Sequence, residues 1–176
     1  ILTDTEVGQN YGWVIENAKN VPIILDSEQK TISFPPIINS ALTTVTPNTK
    51  NILIEVTGID KESAEDMLSV VVSILQTAGF EFTELKITGN KNSTPQLKNR
   101  TIVYDPKFTS EILGIEMSLS NMVVCLKKCR LDATIKGKKI MCTIPRYRFD
   151  IFGPMDLVEE IALGYGIANI EPKLSP

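Results

Sequence analysis

Apolar positions in this chain recur in two rhythms, and the rhythm changes several times along it. Val7 to Ala18 has helix-like spacing, with Tyr11, Val14 and Ile15 on one side. Val21 to Asp26 and Thr31 to Phe34 read as two short strands around the polar turn Ser27-Glu28-Gln29. Pro35-Pro36 then stops regular pairing, because neither proline can donate to a ladder. Asn51 to Thr57 reads as a strand through Ile52, Leu53, Ile54 and Val56, ended by Gly58. Asp60 is a good N-cap for the next helix, and Glu62 and Glu65 complement its dipole. Ala64, Met67, Leu68, Val71, Val72, Leu75 and Ala78 recur at three and four residues, which predicts a buried stripe. Gly79 suits the C′ position, where left-handed geometry is needed. Phe80, Phe82, Leu85 and Ile87 follow as a strand. Strand, helix, strand predicts a sheet with a helix packed on it.

The polar run Thr88 to Arg100 reads as a loop or boundary. Beyond it, Thr109-Ser110-Glu111 starts a short helix that ends at Gly114. Ser118 caps a second, running to about Cys129, with Leu119, Met122, Val123 and Leu126 inward. Leu131 to Ile135 and Lys139 to Ile144 form a hairpin whose turn holds Gly137. Helix, helix, hairpin is the order of a winged-helix module. A last helix opens near Pro154, tolerated at a first position, and runs to about Gly164. The fold class expected is α+β: a mixed sheet-and-helix portion over 1–95, then a winged-helix-like module over 96–176. No internal repeat is visible.

Composition narrows the chemistry. With 43% hydrophobic and 22% charged residues, the chain is ordinary globular protein. No apolar stretch approaches the roughly 20 residues a membrane helix needs, and no basic segment precedes an apolar run at the start. A soluble, cytoplasmic protein is the expectation, and the opening Ile1 suggests a piece of something longer. The chain contains no histidine, which excludes Ser-His-Asp and Cys-His catalysis and removes the commonest zinc ligand. Cys125, Cys129 and Cys142 lack a fourth ligand and read as reduced thiols packed as small apolar groups.

Charge is unevenly placed within a net of −3. Lys127, Lys128, Arg130, Lys136, Lys138, Lys139, Arg146 and Arg148 form a basic stripe, interrupted by Asp132 alone. It suits either contact with phosphate or a solvated hairpin, and it lacks interleaved aromatics for base stacking. The sign then flips. Asp156, Glu159 and Glu160 stand at i, i+3 and i+4 on one helical face, with Asp150 just upstream. Four converging carboxylates invite a hard cation such as Mg²⁺ or Ca²⁺. Acids at a helix N-terminus also simply complement its dipole.

These last residues carry a resemblance. Thr143-Ile144-Pro145-Arg146-Tyr147-Arg148-Phe149-Asp150-Ile151, Asp156-Leu157-Val158-Glu159-Glu160-Ile161-Ala162 and Tyr165-Gly166-Ile167-Ala168-Asn169-Ile170 resemble the end of the winged-helix-like module in phenylalanine–tRNA ligase beta chains. Its pattern is approximately Pro-x-Tyr-Arg-x-Asp-Ile, Asp-Leu-Ile-Glu-Glu, Tyr-Gly-Tyr-x-Asn-Ile. Arg146 fills a variable slot, and Ile167 replaces the last tyrosine. Leu113-Gly114-Ile115 and Leu119-Ser120 match the start of that module. Ser33-Phe34-Pro35-Pro36-Ile37-Ile38-Asn39-Ser40 and Ile54-Glu55-Val56-Thr57-Gly58 resemble the editing module of the archaeal and eukaryotic form.

The resemblance implies an internal fragment: the C-terminal portion of the editing module over 1–95, then the winged-helix-like module. It implies that Asp150, Asp156, Glu159 and Glu160 bind Mg²⁺ shared with the alpha chain. It implies that the whole enzyme joins phenylalanine to its tRNA using ATP, with catalytic residues mainly on the alpha chain. It also implies editing of tyrosine wrongly attached to that tRNA, through Ser33, Glu55 and Thr57 with Asn39 nearby. Glu55 stands where some relatives have aspartate. Ser33 and Thr57 can alternatively just close turns. Two other classes are a free-standing winged-helix nucleic-acid-binding module and a small hydrolase acting on mischarged tRNA in trans. Each explains half the chain.

Overall fold

The structure, a computed structural model, describes residues 3–89 and 91–172. The chain divides into two compact units, 1–59 and 60–176.

The first unit opens with helix α1, Glu6–Tyr11, whose N-cap Thr5 accepts from the Gly8 N–H at 3.1 Å. It ends sooner than the pattern predicts, tightening into a 3₁₀ turn over Gly12–Ile15. Strands β1 (Ile24–Leu25), β2 (Thr31–Phe34) and β3 (Ile38–Asn39) make an antiparallel sheet in that order. The β1–β2 turn is closed by Asp26, whose Oδ1 accepts from the N–H groups of Glu28 and Lys30 at 2.9 and 2.8 Å. Pro35-Pro36, joined by a cis peptide, ends β2, and the Phe34 carbonyl accepts from Ile37 N–H at 2.8 Å as the chain doubles back. Ser33 thereby faces Asn39 in register. The strand expected over 51–57 is not formed: those residues are in no ladder. Branched residues favour a pleated conformation, but a strand exists only with a hydrogen-bonded neighbour, and none of the described residues supplies one.

The second unit starts with helix α2, Lys61–Thr77. Asp60 caps it as predicted, its Oδ2 accepting from Ser63 N–H at 2.7 Å. Gly79, at φ 92°, closes its other end as Phe80 N–H reaches the Leu75 carbonyl at 3.0 Å. The inward face follows most of the predicted stripe: Val72 is buried and Ala64, Leu68, Val71 and Leu75 are half-buried, while Met67 and Ala78 are exposed. Ser69 is buried with them. Polar contacts flank this face: Glu65 accepts from Thr94 Oγ1 at 3.1 Å and from Gln96 N–H, and Asp66 pairs with Arg146. After it, the long strand expected over Phe80–Ile87 shrinks to β4 (Leu85–Lys86), paired with β5 (Ser93–Thr94) inside the expected loop.

The rest of this unit follows the expected helix, helix, hairpin order, with one strand more. Strand β6 (Arg100–Tyr104) precedes α3 (Lys107–Leu113), α4 (Leu119–Lys128), β7 (Asp132–Lys136), β8 (Lys139–Ile144) and α5 (Pro154–Tyr165). Gly114 caps α3 in the left-handed region at φ 66°, and Ser118 caps α4 by accepting from Asn121 N–H at 3.2 Å. β8 is central, flanked antiparallel by β6 and β7. Its alternate residues Ile140, Cys142 and Ile144 are fully buried against Met122, Leu126, Leu157 and Ile161. Cys125 and Cys142 are buried free thiols in this core, and burial pushes the Cys142 thiol up to about 11. No helix among the described residues is long and apolar enough to cross a membrane.

Helices α4 and α5 cross almost backbone to backbone. A β-carbon added at Gly164 would lie 2.3 Å from the Cys125 carbonyl oxygen. That neighbour is main chain and cannot swing aside. Gly164→Ala is therefore expected to cost about 1–3 kcal/mol, read as a lower urea midpoint. An unchanged midpoint would mean the crossing is looser than described.

Candidate functional site

Two places gather the residues singled out in the sequence, one in each unit.

In the second unit, the loop between β8 and α5 brings the four acids near one helix end. Arg100 holds this loop, its Nη2 donating to the carbonyls of Arg148 at 3.1 Å and Ile151 at 2.8 Å. Asp156 is spent on the helix itself: Oδ2 accepts from the N–H groups of Phe152 and Gly153 at 2.7 and 2.8 Å. The Gly153 N–H is a donor at the helix start without an internal partner, and the Phe152 N–H lies just before it. Asp150 and Glu160 share one cation, Arg148. Its Nε and Nη2 grip Asp150 at 2.9 and 2.7 Å, and Nη2 also reaches Glu160. The side chains of Arg148 and Glu160 are 23% and 12% exposed, and that of Asp150 is 58% exposed, so the glutamate arm is the shielded one. The hydrogen bonds to Arg148 hold the Asp150 carboxyl below its usual range, and those to Asp150 hold the Arg148 guanidinium above its own. Glu159 is exposed.

The four carboxylates as they stand do not offer a ready Mg²⁺ site. Two are neutralised by a guanidinium and a third caps backbone. Among the described residues, no group of three or more acids, cysteines or histidines is disposed to hold a metal. What the sequence reading missed is Arg148 itself, counted there with the basic stripe. The signal was present: an arginine two residues before Asp150, in the short connection between β8 and α5.

In the first unit, Ser33, Asn39, Glu55 and Thr57 line one hollow of about 480 Å³ together with Val7 and the Pro35–Ile38 segment. Ser33 is buried and donates to Asn39 Oδ1 at 2.8 Å. Glu55 and Thr57 stand exposed at the rim. A second hollow of about 600 Å³ shares Ser33, Asn39 and Glu55, and adds the hydroxyls of Thr43, Thr44 and Thr49. Ser33 gives its proton to an amide oxygen and touches no base, so its geometry is that of a group that positions a ligand, not of an activated nucleophile. With no imidazole, the chemistry within reach is the orientation of water by carboxylate and hydroxyl.

Residues 102–167 match the family described as the tRNA synthetase B5 domain. The chain is also 39% identical over 175 residues to the phenylalanine–tRNA ligase beta subunit of Methanococcus vannielii, covering 99% of this chain and 31% of that protein. It is 39% identical over 169 residues to the same subunit of Methanocaldococcus jannaschii, again covering 31% of it. A solved N-terminal fragment of the phenylalanyl-tRNA synthetase beta subunit from Pyrococcus horikoshii superposes with a TM-score of 0.85 at 29% identity, over 94% of this chain and 48% of that one. The second unit thus carries a B5 domain. The chain as a whole belongs to the phenylalanine–tRNA ligase beta subunit family, of which it spans about a third of the length of the curated relatives it matches.

Arg148→Met leaves Glu160 shielded and without its cation. The expected cost is roughly 3 kcal/mol, mostly recovered in Arg148→Met/Glu160→Gln. Because pairing depresses the Asp150 carboxyl, its contribution is present above the ordinary carboxylate range and is lost as pH falls through the lowered value. The stability gap between parent and Arg148→Met should therefore narrow on acidification. Denaturation at pH 7 and pH 3 reads both effects, and equal gaps would contradict the assignment.

Proposed function

We propose that this chain is the part of a phenylalanine–tRNA ligase beta subunit that edits mischarged tRNA and helps to hold the alpha chain. The observation that carries the editing half is the convergence of Ser33, Asn39, Glu55 and Thr57, from separate segments, on one hollow. Hydrolysis of an aminoacyl ester needs a water aimed at the carbonyl and a donor for the developing oxyanion. Glu55 orients the water, Thr57 meets the ester, and buried Ser33 with its partner Asn39 bonds the phenol oxygen that distinguishes tyrosine from phenylalanine. The module boundary proposed near residue 95 lies shortly before the B5 match, while Glu65 and Asp66 tether α2 to the segment that follows.

The alpha chain is proposed to dock at the acidic end of α5, where Glu159 is exposed beside Phe152 and Met155. The Mg²⁺ implied there by the family resemblance would compete with Arg148 for Asp150 and Glu160. Aminoacylation with ATP and phenylalanine, in the cytoplasm, is the activity of the whole enzyme in this reading. A free-standing nucleic-acid module accounts for the second unit alone, whereas the similarity to ligase subunits runs through both.

In the full-length protein, Glu55→Gln and Thr57→Ala are each expected to slow deacylation of tyrosyl-tRNA by roughly tenfold or more, while phenylalanine attachment holds. An equal fall in both activities would remove the editing assignment. Glu159→Gln, which disturbs no hydrogen bond or ion pair among the described residues, is expected to weaken alpha-chain binding several-fold in calorimetry. Unchanged affinity, with and without Mg²⁺, would move the interface elsewhere.

A further inference from the structure

The basic stripe of the sequence comes apart in three dimensions. Arg146 and Arg148 turn inward to Asp66 and to Asp150 and Glu160, and Lys128 donates to the Gly164 carbonyl at 3.1 Å. What remains outside is concentrated at the tip of the β7–β8 hairpin. Lys136 and Lys139 are directly opposed across the two strands, and Gly137, at φ 64°, and Lys138 make the turn between them. All three lysines are exposed, and none has an ion pair or side-chain hydrogen bond among the described residues.

This arrangement works against the hairpin. Like charges facing each other across an antiparallel pair stand about 5 Å apart at Cβ and are destabilising. A third lysine in the turn adds to the repulsion. The chain provides little relief. Asp132, on the same strand, is four residues away, about 13 Å at strand rise, beyond the roughly 8 Å screening length of physiological salt. Asp105, next to Lys139 by register, accepts from the Lys107 N–H at 3.0 Å and offsets one of the three charges. An exposed hairpin tip that opposes two lysines, adds a third in the turn and is only partly compensated is built for something outside it.

We propose that this hairpin tip contacts the phosphate backbone of a folded RNA. Compact ammonium groups without a guanidinium fork or aromatic ring hold phosphates as point charges and read no sequence. The tip also lacks the aromatic residues that would anchor it in a lipid interface. Only the identity of the RNA, a tRNA, rests on the ligase reading above.

The test is anisotropy of a labelled tRNA transcript, and of an unrelated RNA hairpin, with the full-length protein across a salt series. The variant is Lys136→Gln/Lys138→Gln/Lys139→Gln. Affinity for both RNAs is expected to fall roughly tenfold or more at low salt, and the log–log salt slope to flatten by about 2–3. The melting temperature should hold or rise, as repulsion is relieved. Deacylation at saturating tRNA should be unchanged, which separates this surface from the editing hollow. Parental affinity and slope would overturn the proposal. So would a loss confined to vesicles of anionic phospholipid.

Discussion

Arg148 fastens the loop after β8 to helix α5, and much of the second unit depends on that attachment. The loop has no ladder or helix of its own between Ile144 and Pro154. It is held at its carbonyls by Arg100 and at its centre by the guanidinium bridging Asp150 and Glu160. Glu160 is shielded, so its charge is tolerable because a cation is built in beside it. This places α5 over the sheet with Leu157 and Ile161 in the core, and aims Asp156 at the N–H groups that open the helix. The acids that look in sequence like a mutually repelling set are thus distributed among three tasks: pairing, capping and exposure.

The same logic applies to α2. Its carboxylates bind a hydroxyl, a backbone N–H and an arginine, and beside buried Val72 most of its apolar residues are only part buried. Polar groups that come with specific partners fix a helix's rotation more narrowly than a broad apolar stripe does. The second unit therefore uses charged side chains as locators at both helices, while its hydrophobic core is confined mainly to the β6–β8–β7 sheet and the helices upon it.

Local chemistry was the legible part of the sequence. Asp60 and Ser118 cap the helices they were expected to cap, and Gly79 and Gly114 sit where positive φ is needed, because those roles depend on neighbours a few residues away. The winged order was readable for the same reason. Strand pairing was less so. Residues 51–57 and 80–84 have strand-like composition without a ladder, whereas β6, a run of Thr101, Ile102, Val103 and Tyr104, was passed over because it adjoins a polar loop. The hollow around Ser33, Asn39, Glu55 and Thr57 joins residues up to 24 positions apart, as their numbers show, and family resemblance pointed to them where periodicity could not. Arg148 was hidden by its company, since a cation in a basic stretch gives no sign of facing inward.

The contact at Gly164 has a mechanical consequence. Where two helices meet through side chains, rotamer changes let them slide; where main chain rests on main chain, no such bearing exists. α4 and α5 therefore move as one body, and through β7 and β8 so does the lysine-bearing hairpin. Any displacement of α5 is therefore resisted directly by the main chain of α4, the helix that leads into the first strand of that hairpin.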